Sequence, residues 1–220
     1  MGFEVMRERL TAMVMLLALG TAAMGIGAVT SAAGEPDEWA PGDLATATFA
    51  GGCFWCTEAA YEQLEGVHEA VSGYTGGSVE DPTYQQVSSG TTGHAEAVQV
   101  TYDPTRVGYD ELLDLYWVLI DPTDAGGQNT DRGTQYRTAV FYHDDEQRAL
   151  AEASRNALQE SGRFDEPIVT EVLEAGPFYH AEEYHQDFYL KAPEYYEAYL
   201  AGSRHDPFLD AIWGDENGQD

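Results

Sequence analysis

The residues best suited to chemistry sit within one turn of the chain. Cys53 and Cys56 are the only cysteines among 220 residues, three positions apart in Thr48-Phe-Ala-Gly-Gly-Cys-Phe-Trp-Cys-Thr-Glu-Ala-Ala60. The residues before Gly51-Gly52 read as a strand and those from the cysteine pair to about Leu64 as a helix, so Cys53 falls at a helix start. Backbone N–H groups there are unsatisfied and carry partial positive charge, which favours a thiolate over a thiol. Cys53 is therefore expected to be a nucleophile, and Cys56, one helical turn on, to lie within disulfide reach. A purely structural bridge is the competing reading for an exported chain. It would stabilise little, because so short a loop hardly restricts the unfolded state. A zinc site would need two distant histidines to complete its ligands. Phe54 and Trp55, between the thiols, either pack into the core or wall an apolar pocket beside the sulfur.

The elements that must hold this turn follow from periodicity and punctuation. Strands are expected over 45–49, 67–74, 95–102, 136–142 and 168–174. Helices are expected over 109–120, 145–161, 181–191 and 194–200. Two Gly/Ser/Thr-rich loops, 73–93 and 121–135, interrupt them, and such loops often carry function. The mixture of strands and helices, without a glycine-fingerprint βαβ unit, points to an α+β sandwich rather than a nucleotide-binding sheet. Strand alternation puts Glu96 on the same face as Val98, Val100 and Tyr102. A carboxyl on an apolar face keeps its proton near neutrality, whereas an edge residue at a strand start would simply face water. His180 and His185, five apart, and His94 beside Glu96 read as packing or hydrogen-bonding residues before they read as metal ligands. Tyr184, Tyr189, Tyr195, Tyr196 and Tyr199 read as helical packing.

Composition bounds the partners. Asp and Glu number 39 against 10 Lys and Arg, a formal net charge of −29, and Lys191 is the only lysine. So negative a field argues against nucleic acid or an anionic membrane surface. An acidic chain almost without lysine resembles proteins that live at high salt, where screening removes most self-repulsion. Residues 10–33 carry no charge or proline and follow Arg7 and Arg9. Residues 1–33 thus read as an export signal peptide, with Ser31-Ala32-Ala33 suited to cleavage, or as an uncleaved membrane anchor. Either way an exported, extracytoplasmic protein is expected, secreted or membrane-anchored, touching the membrane only through that segment. Residues 34–44 read as a linker, 45–213 as one domain, and 214–220 as an acidic tail.

With its flanking glycines and the acidic position Glu58, the motif GGCFWC resembles the signature of the peptide methionine sulfoxide reductase A family. The resemblance continues through Ser72-Gly-Tyr-Thr-Gly-Gly77, Pro82-Thr-Tyr84, Ser89-Gly90, Gly93-His-Ala-Glu96, Asp131-Arg-Gly-Thr-Gln-Tyr-Arg137 and Ala181-Glu-Glu-Tyr-His-Gln186. It covers about Thr46 to Trp213, nearly everything after the export segment.

The resemblance implies a two-layer α/β sandwich with a mixed sheet, the ferredoxin-like fold of the family. It implies thiol-dependent reduction of methionine (S)-sulfoxide, free or in proteins, to methionine. Cys53 would attack the sulfoxide sulfur, and Phe54 and Trp55 would hold the S-methyl group. Glu96 would protonate the oxygen, Tyr84 and Tyr136 would hydrogen-bond it, and Asp131 would help order the site. A sulfenic acid left on Cys53 condenses readily with a nearby thiol. Relatives often resolve it with a C-terminal cysteine, absent here, and Ser88 stands where many have another. Cys56 is therefore the expected resolving residue, with reducing equivalents from thioredoxin or a thioredoxin-like protein and no bound cofactor or metal. A monomer is expected. The alternative is a thioredoxin-like dithiol oxidoreductase acting through the CFWC turn on protein disulfides. An exported binding module with a structural disulfide is the reading from another class.

Overall fold

A computed structural model describes residues 44–203 and 212–213. The segment 1–33 expected to direct export, all but the last residue of the expected linker 34–44, and the expected tail 214–220 lie outside the described residues. Among those described, no helix is long and apolar enough to cross a membrane.

Six strands form one mixed sheet and helices cover one of its faces. In chain order the strands are β1 (Ala45–Gly51), β2 (Val67–Thr75), β3 (Ala95–Tyr102), β6 (Thr138–Tyr142), β7 (Glu171–Glu174) and β8 (Tyr179–His180), with the small hairpin β4 (Gly127–Gln128) and β5 (Asp131–Arg132) set apart. The sheet order is β7-β6-β1-β3-β2-β8, with β6 and β7 parallel and the other pairs antiparallel. The helices are α1 (Phe54–Glu62), α2 (Tyr84–Ser88), α3 (Tyr109–Leu119), α4 (Asp145–Glu160), α5 (Phe188–Lys191) and α6 (Pro193–Ser203). The α+β class and the layered, mixed-sheet architecture hold.

Alternation along the strands decides which side is deep. Ala47 and Phe49 of β1 and Val98, Val100 and Tyr102 of β3 share the main core with Tyr61 of α1 and Leu112, Tyr116 and Trp117 of α3. The opposite face carries mostly alanine, at positions 50, 95, 97 and 139, and needs only a thin cover that includes Phe178. Phe49 stacks on Tyr61 and Tyr116 at 5.1 and 5.2 Å between centroids. The phenols of both tyrosines then close backbone acceptors, Tyr61 donating to Leu112 O at 3.0 Å and Tyr116 to Ala50 O at 2.8 Å. This ties α1, α3 and the end of β1 into one block, which fixes where α1 begins.

Two segments near the site depart most from expectation. Tyr136 is not the first residue of a strand but closes a 3-10 turn, Thr134–Tyr136, and β6 starts at Thr138. The helix expected over 181–191 exists only as α5. Its first half is a strap laid along β2, because Gln186 treats Ser72 as a neighbouring strand would. Its Oε1 accepts from Ser72 N and its Nε2 donates to Ser72 O, both at 2.9 Å. Those backbone groups lie at the sheet edge just beyond the short β8 pairing, so a side chain completes what a strand would otherwise satisfy.

Candidate active site

Cys53 is the N-cap of α1, with extended backbone angles (φ −62°, ψ 121°). The turn that delivers it there requires Gly52, whose φ is +83° and where a Cβ would meet Gln128 Cβ at 2.7 Å. Phe54 follows in the core, 1% exposed, and Trp55 is half-buried. Phe54 thus takes the core reading of the aromatic pair, and Trp55 packs at the edge of that core.

Glu96 projects from β3 under the start of α1, 2% exposed, and its Oε2 accepts the Phe54 N–H at 3.2 Å. Burial raises its pKa to about 8, with the Asp131 carboxylate adding to the rise and the Phe54 amide opposing it. The carboxyl thus holds its proton at neutral pH, as its strand face implied.

The expected resting thiolate does not hold. Burial, a hydrogen bond with Cys56 and the charge of Glu96 push the Cys53 thiol well above its ordinary pKa, against a downward pull from the Tyr199 hydroxyl. The physical reason is visible in the cap. Cys53 makes no side-chain cap hydrogen bond, and the first free amide of α1, on Phe54, is taken by Glu96. A helix N-terminus is worth roughly 0.3–2 kcal/mol to an anion, whereas desolvation can shift a pKa by several units. Desolvation wins. Both cysteines are free thiols, and the Cys56 N–H donates to Cys53 O at 3.3 Å.

The remaining expected residues gather around this pair. Tyr84 opens α2, whose N-cap Thr83 forms a capping box with Gln86. The Tyr84 amide donates to Glu182 Oε1 at 2.9 Å, and the Tyr74 hydroxyl donates to the other oxygen of Glu182 at 2.8 Å. Tyr84, raised to about 12 by burial and by the charges of Glu96 and Cys53 against a downward pull from the neighbouring Tyr136 hydroxyl, remains a neutral donor. Tyr136 is shifted upward as well, by burial and then by Glu96. Asp131, half-buried on β5, accepts a hydrogen bond from the Tyr199 hydroxyl. Ser88 ends α2, its hydroxyl turned back onto Gln85 O at 3.2 Å. His94 is buried and braces a loop, Nδ1 accepting from Gly77 N–H at 3.0 Å and Nε2 donating to Val79 O at 2.8 Å. Gly77 has to be glycine, since a Cβ there would meet the His94 backbone nitrogen at 2.3 Å.

Two functional contacts escaped the sequence reading. Trp55 Nε1 donates to Nδ1 of the buried His185 at 3.1 Å, which puts the imidazole proton on Nε2. The indole also stacks on Phe188 at 3.9 Å and 10°. Tyr199, read as packing, stands edge-on to Trp55 at 5.7 Å and lies beside the Cys53 sulfur. The spacing of Tyr195 and Tyr199, four apart on α6, was the available signal, because it aims both rings at one neighbour. Glu58, the acidic position of the motif, is a structural anchor. It accepts from Ser72 Oγ at 2.6 Å and from Asp187 N at 2.8 Å, tying α1 to the strap.

A half-buried thiol at a helix cap, a protonated carboxyl beside it, neutral phenols around it and a second thiol in contact define a cysteine-based oxidoreductase that delivers protons with its electrons. Comparison with known proteins gives the particular family. Residues 45–217 match the model of the peptide methionine sulfoxide reductase family. The chain is 59% identical over 168 residues to the peptide methionine sulfoxide reductase MsrA of Bacillus licheniformis, covering 76% of this chain and 93% of that one. Its fold is similar to Mxr1 of Saccharomyces cerevisiae in reduced form (TM-score 0.66, 32% identity, 71% of this chain and 90% of that one). It is also similar to methionine sulfoxide reductase A of Corynebacterium diphtheriae (TM-score 0.62, 34% identity, 69% and 76%). The chain belongs to the peptide methionine sulfoxide reductase family.

Proposed function

We propose that the protein reduces methionine (S)-sulfoxide, free or in proteins, to methionine, with Cys53 as nucleophile and Glu96 as acid. The observation that carries this reading is the protonated, buried carboxyl of Glu96, hydrogen-bonded to the amide adjoining Cys53. A sulfoxide oxygen leaves sulfur only when protonated, and this group holds a proton at the pH where the enzyme must work. Cys53 attacks the substrate sulfur while Glu96 protonates the oxygen. The S–O bond of the substrate breaks, the oxygen ends on Cys53 as a sulfenic acid, and two electrons pass from the cysteine sulfur to the methionine sulfur. Tyr84 and Tyr136 donate to the oxygen in flight, and Trp55 walls the methyl group. Cys56 then displaces water from the sulfenic acid to give the Cys53–Cys56 disulfide, which a thioredoxin-like dithiol reduces.

The test is a stereo-resolved assay on a methionine sulfoxide peptide with a dithiol reductant. Consumption of the S epimer with the R epimer left intact is expected. Disulfide reductase activity without sulfoxide reduction would instead favour the thioredoxin-like alternative.

Trp55 can serve as a wall only while its indole is held. Phe in place of His185 keeps the ring packing with Phe54 and Tyr84 but leaves the indole N–H without its acceptor. An unpaired buried donor costs about 1–3 kcal/mol, so H185F is expected to raise KM for the peptide about tenfold with a smaller change in kcat. H185N, which restores an acceptor, should recover most of it. Steady-state kinetics on the pair decides, and a wild-type KM for H185F would show that the indole needs no such anchor.

A further inference from the structure

Glu96 gives a proton to the substrate, but the Cys53 thiol must also lose one to become a nucleophile. The structure offers it a second route, through Tyr199. Tyr199 of α6 lies beside the Cys53 sulfur and donates its own hydroxyl proton to Asp131 Oδ2. The ring is held in place by its edge-on contact with Trp55 at 5.7 Å. Asp131 is fixed in turn by the β4–β5 pairing, opposite Gln128. The phenol therefore stands between the sulfur and a carboxylate to which it is already hydrogen-bonded.

We propose that Tyr199 is a catalytic residue that relays the thiol proton of Cys53 to Asp131 as the sulfur attacks. The Cys53 S–H proton moves to the Tyr199 oxygen while the Tyr199 O–H proton moves to the Asp131 carboxylate. The phenol ends the step as it began. In the same turnover Glu96 loses a proton to the departing oxygen, so one carboxyl gains what the other gives up. The pair resets when a proton passes from Asp131 back to Glu96 through solvent, with no net uptake, as the overall exchange of a thiol and a sulfoxide for a sulfenic acid and a thioether requires. A phenol suits this place. It stays neutral, since burial and the nearby Cys53 sulfur push its pKa upward, and it can accept and donate at once.

The inference rests on the proposed reductase reading for the role of the step, but the hydrogen bond it depends on can be tested without any sulfoxide. In a Cys56→Ser background, where Cys53 is the only thiol, the rate of iodoacetamide alkylation is followed against pH with Tyr or Phe at position 199. Loss of the hydroxyl is expected to move the alkylation midpoint upward by about one unit, a tenfold lower thiolate fraction at a given pH. Single-turnover reduction of the sulfoxide peptide by Y199F should slow by about tenfold or more with substrate affinity retained. Combining Y199F with D131N should slow it no further, because both cut the same relay. A wild-type alkylation midpoint in Y199F, or a double variant whose losses multiply, overturns the relay. Should Y199F not fold, D131N alone carries the test, and an undiminished single-turnover rate in that variant overturns it equally. A shifted midpoint in a protein that reduces no sulfoxide would uphold the hydrogen bond and sink the reductase reading, so the two failures are separable.

Discussion

Glu96→Gln is expected to slow the oxygen-transfer step by about a thousandfold, roughly 4 kcal/mol of barrier, while leaving the fold and substrate affinity nearly intact. Glutamine can occupy the same volume and hydrogen-bond the oxygen, but it has no acidic proton to transfer. The pH dependence carries the sharper signature. A carboxyl whose pKa is raised to about 8 is in its acid form below that pH and loses it above. The single-turnover rate of the wild type should therefore be level near neutrality and fall as pH rises through about 8. In E96Q the residual rate should lack that falling limb. Because Cys53 and Glu96 interact, the limb belongs to the pair. The Tyr199 relay passes the thiol proton to Asp131 without changing the total held in the site, so the reactive form is still the one in which Glu96 keeps its proton. A wild-type rate that climbs through pH 8, or an E96Q variant of normal rate, would assign the acid elsewhere.

The position of Glu96 was legible in the sequence because strand alternation is a local property. Small residues at 95 and 97 and branched or aromatic ones at 98, 100 and 102 declare which face is deep, and a carboxyl caught on the deep face is protonated by burial. The helix start at Cys53 was equally local, written in Gly51-Gly52. What that start does to the thiol was not, because it depends on which group takes the Phe54 amide, and Glu96 lies 42 positions away. The anion the amides would have favoured is displaced by another acid. The same limit hid the partners of Trp55 and Asp131. His185 is 130 positions from Trp55 and Tyr199 is 68 from Asp131. No periodicity within a window of sequence carries contacts of that span. The strap before α5 failed for a different reason. Its polar residues have the spacing of a helix, but Gln186 and Glu182 spend their hydrogen bonds on β2 and on the Tyr84 amide rather than on solvent. The helix that periodicity suggests loses to tertiary satisfaction of the sheet edge.

Cys56→Ser is expected to separate the two halves of the cycle. The first half needs only Cys53 and the proton donors around it, so the variant should still release about one methionine per protein. It should then stop, because Cys56 is the only other thiol in the chain and a serine hydroxyl is far too weak a nucleophile to take its place near neutral pH. Cys53 and Cys56 occupy the N-cap and third helical position of one turn, joined by the Cys56 N–H donating to Cys53 O at 3.3 Å. Condensation in the wild type therefore needs a change of side-chain torsion rather than movement of an element. Intact mass after one equivalent of substrate should show an addition of about 16 Da in C56S, the sulfenic acid, and a loss of about 2 Da in the wild type, the disulfide. With a thioredoxin-like donor in excess, steady-state turnover of C56S should fall about a hundredfold or more while its first turnover proceeds at the wild-type rate. Undiminished cycling would mean that the donor attacks the sulfenic acid directly, leaving Cys56 no part in the reaction beyond its contact with the nucleophile.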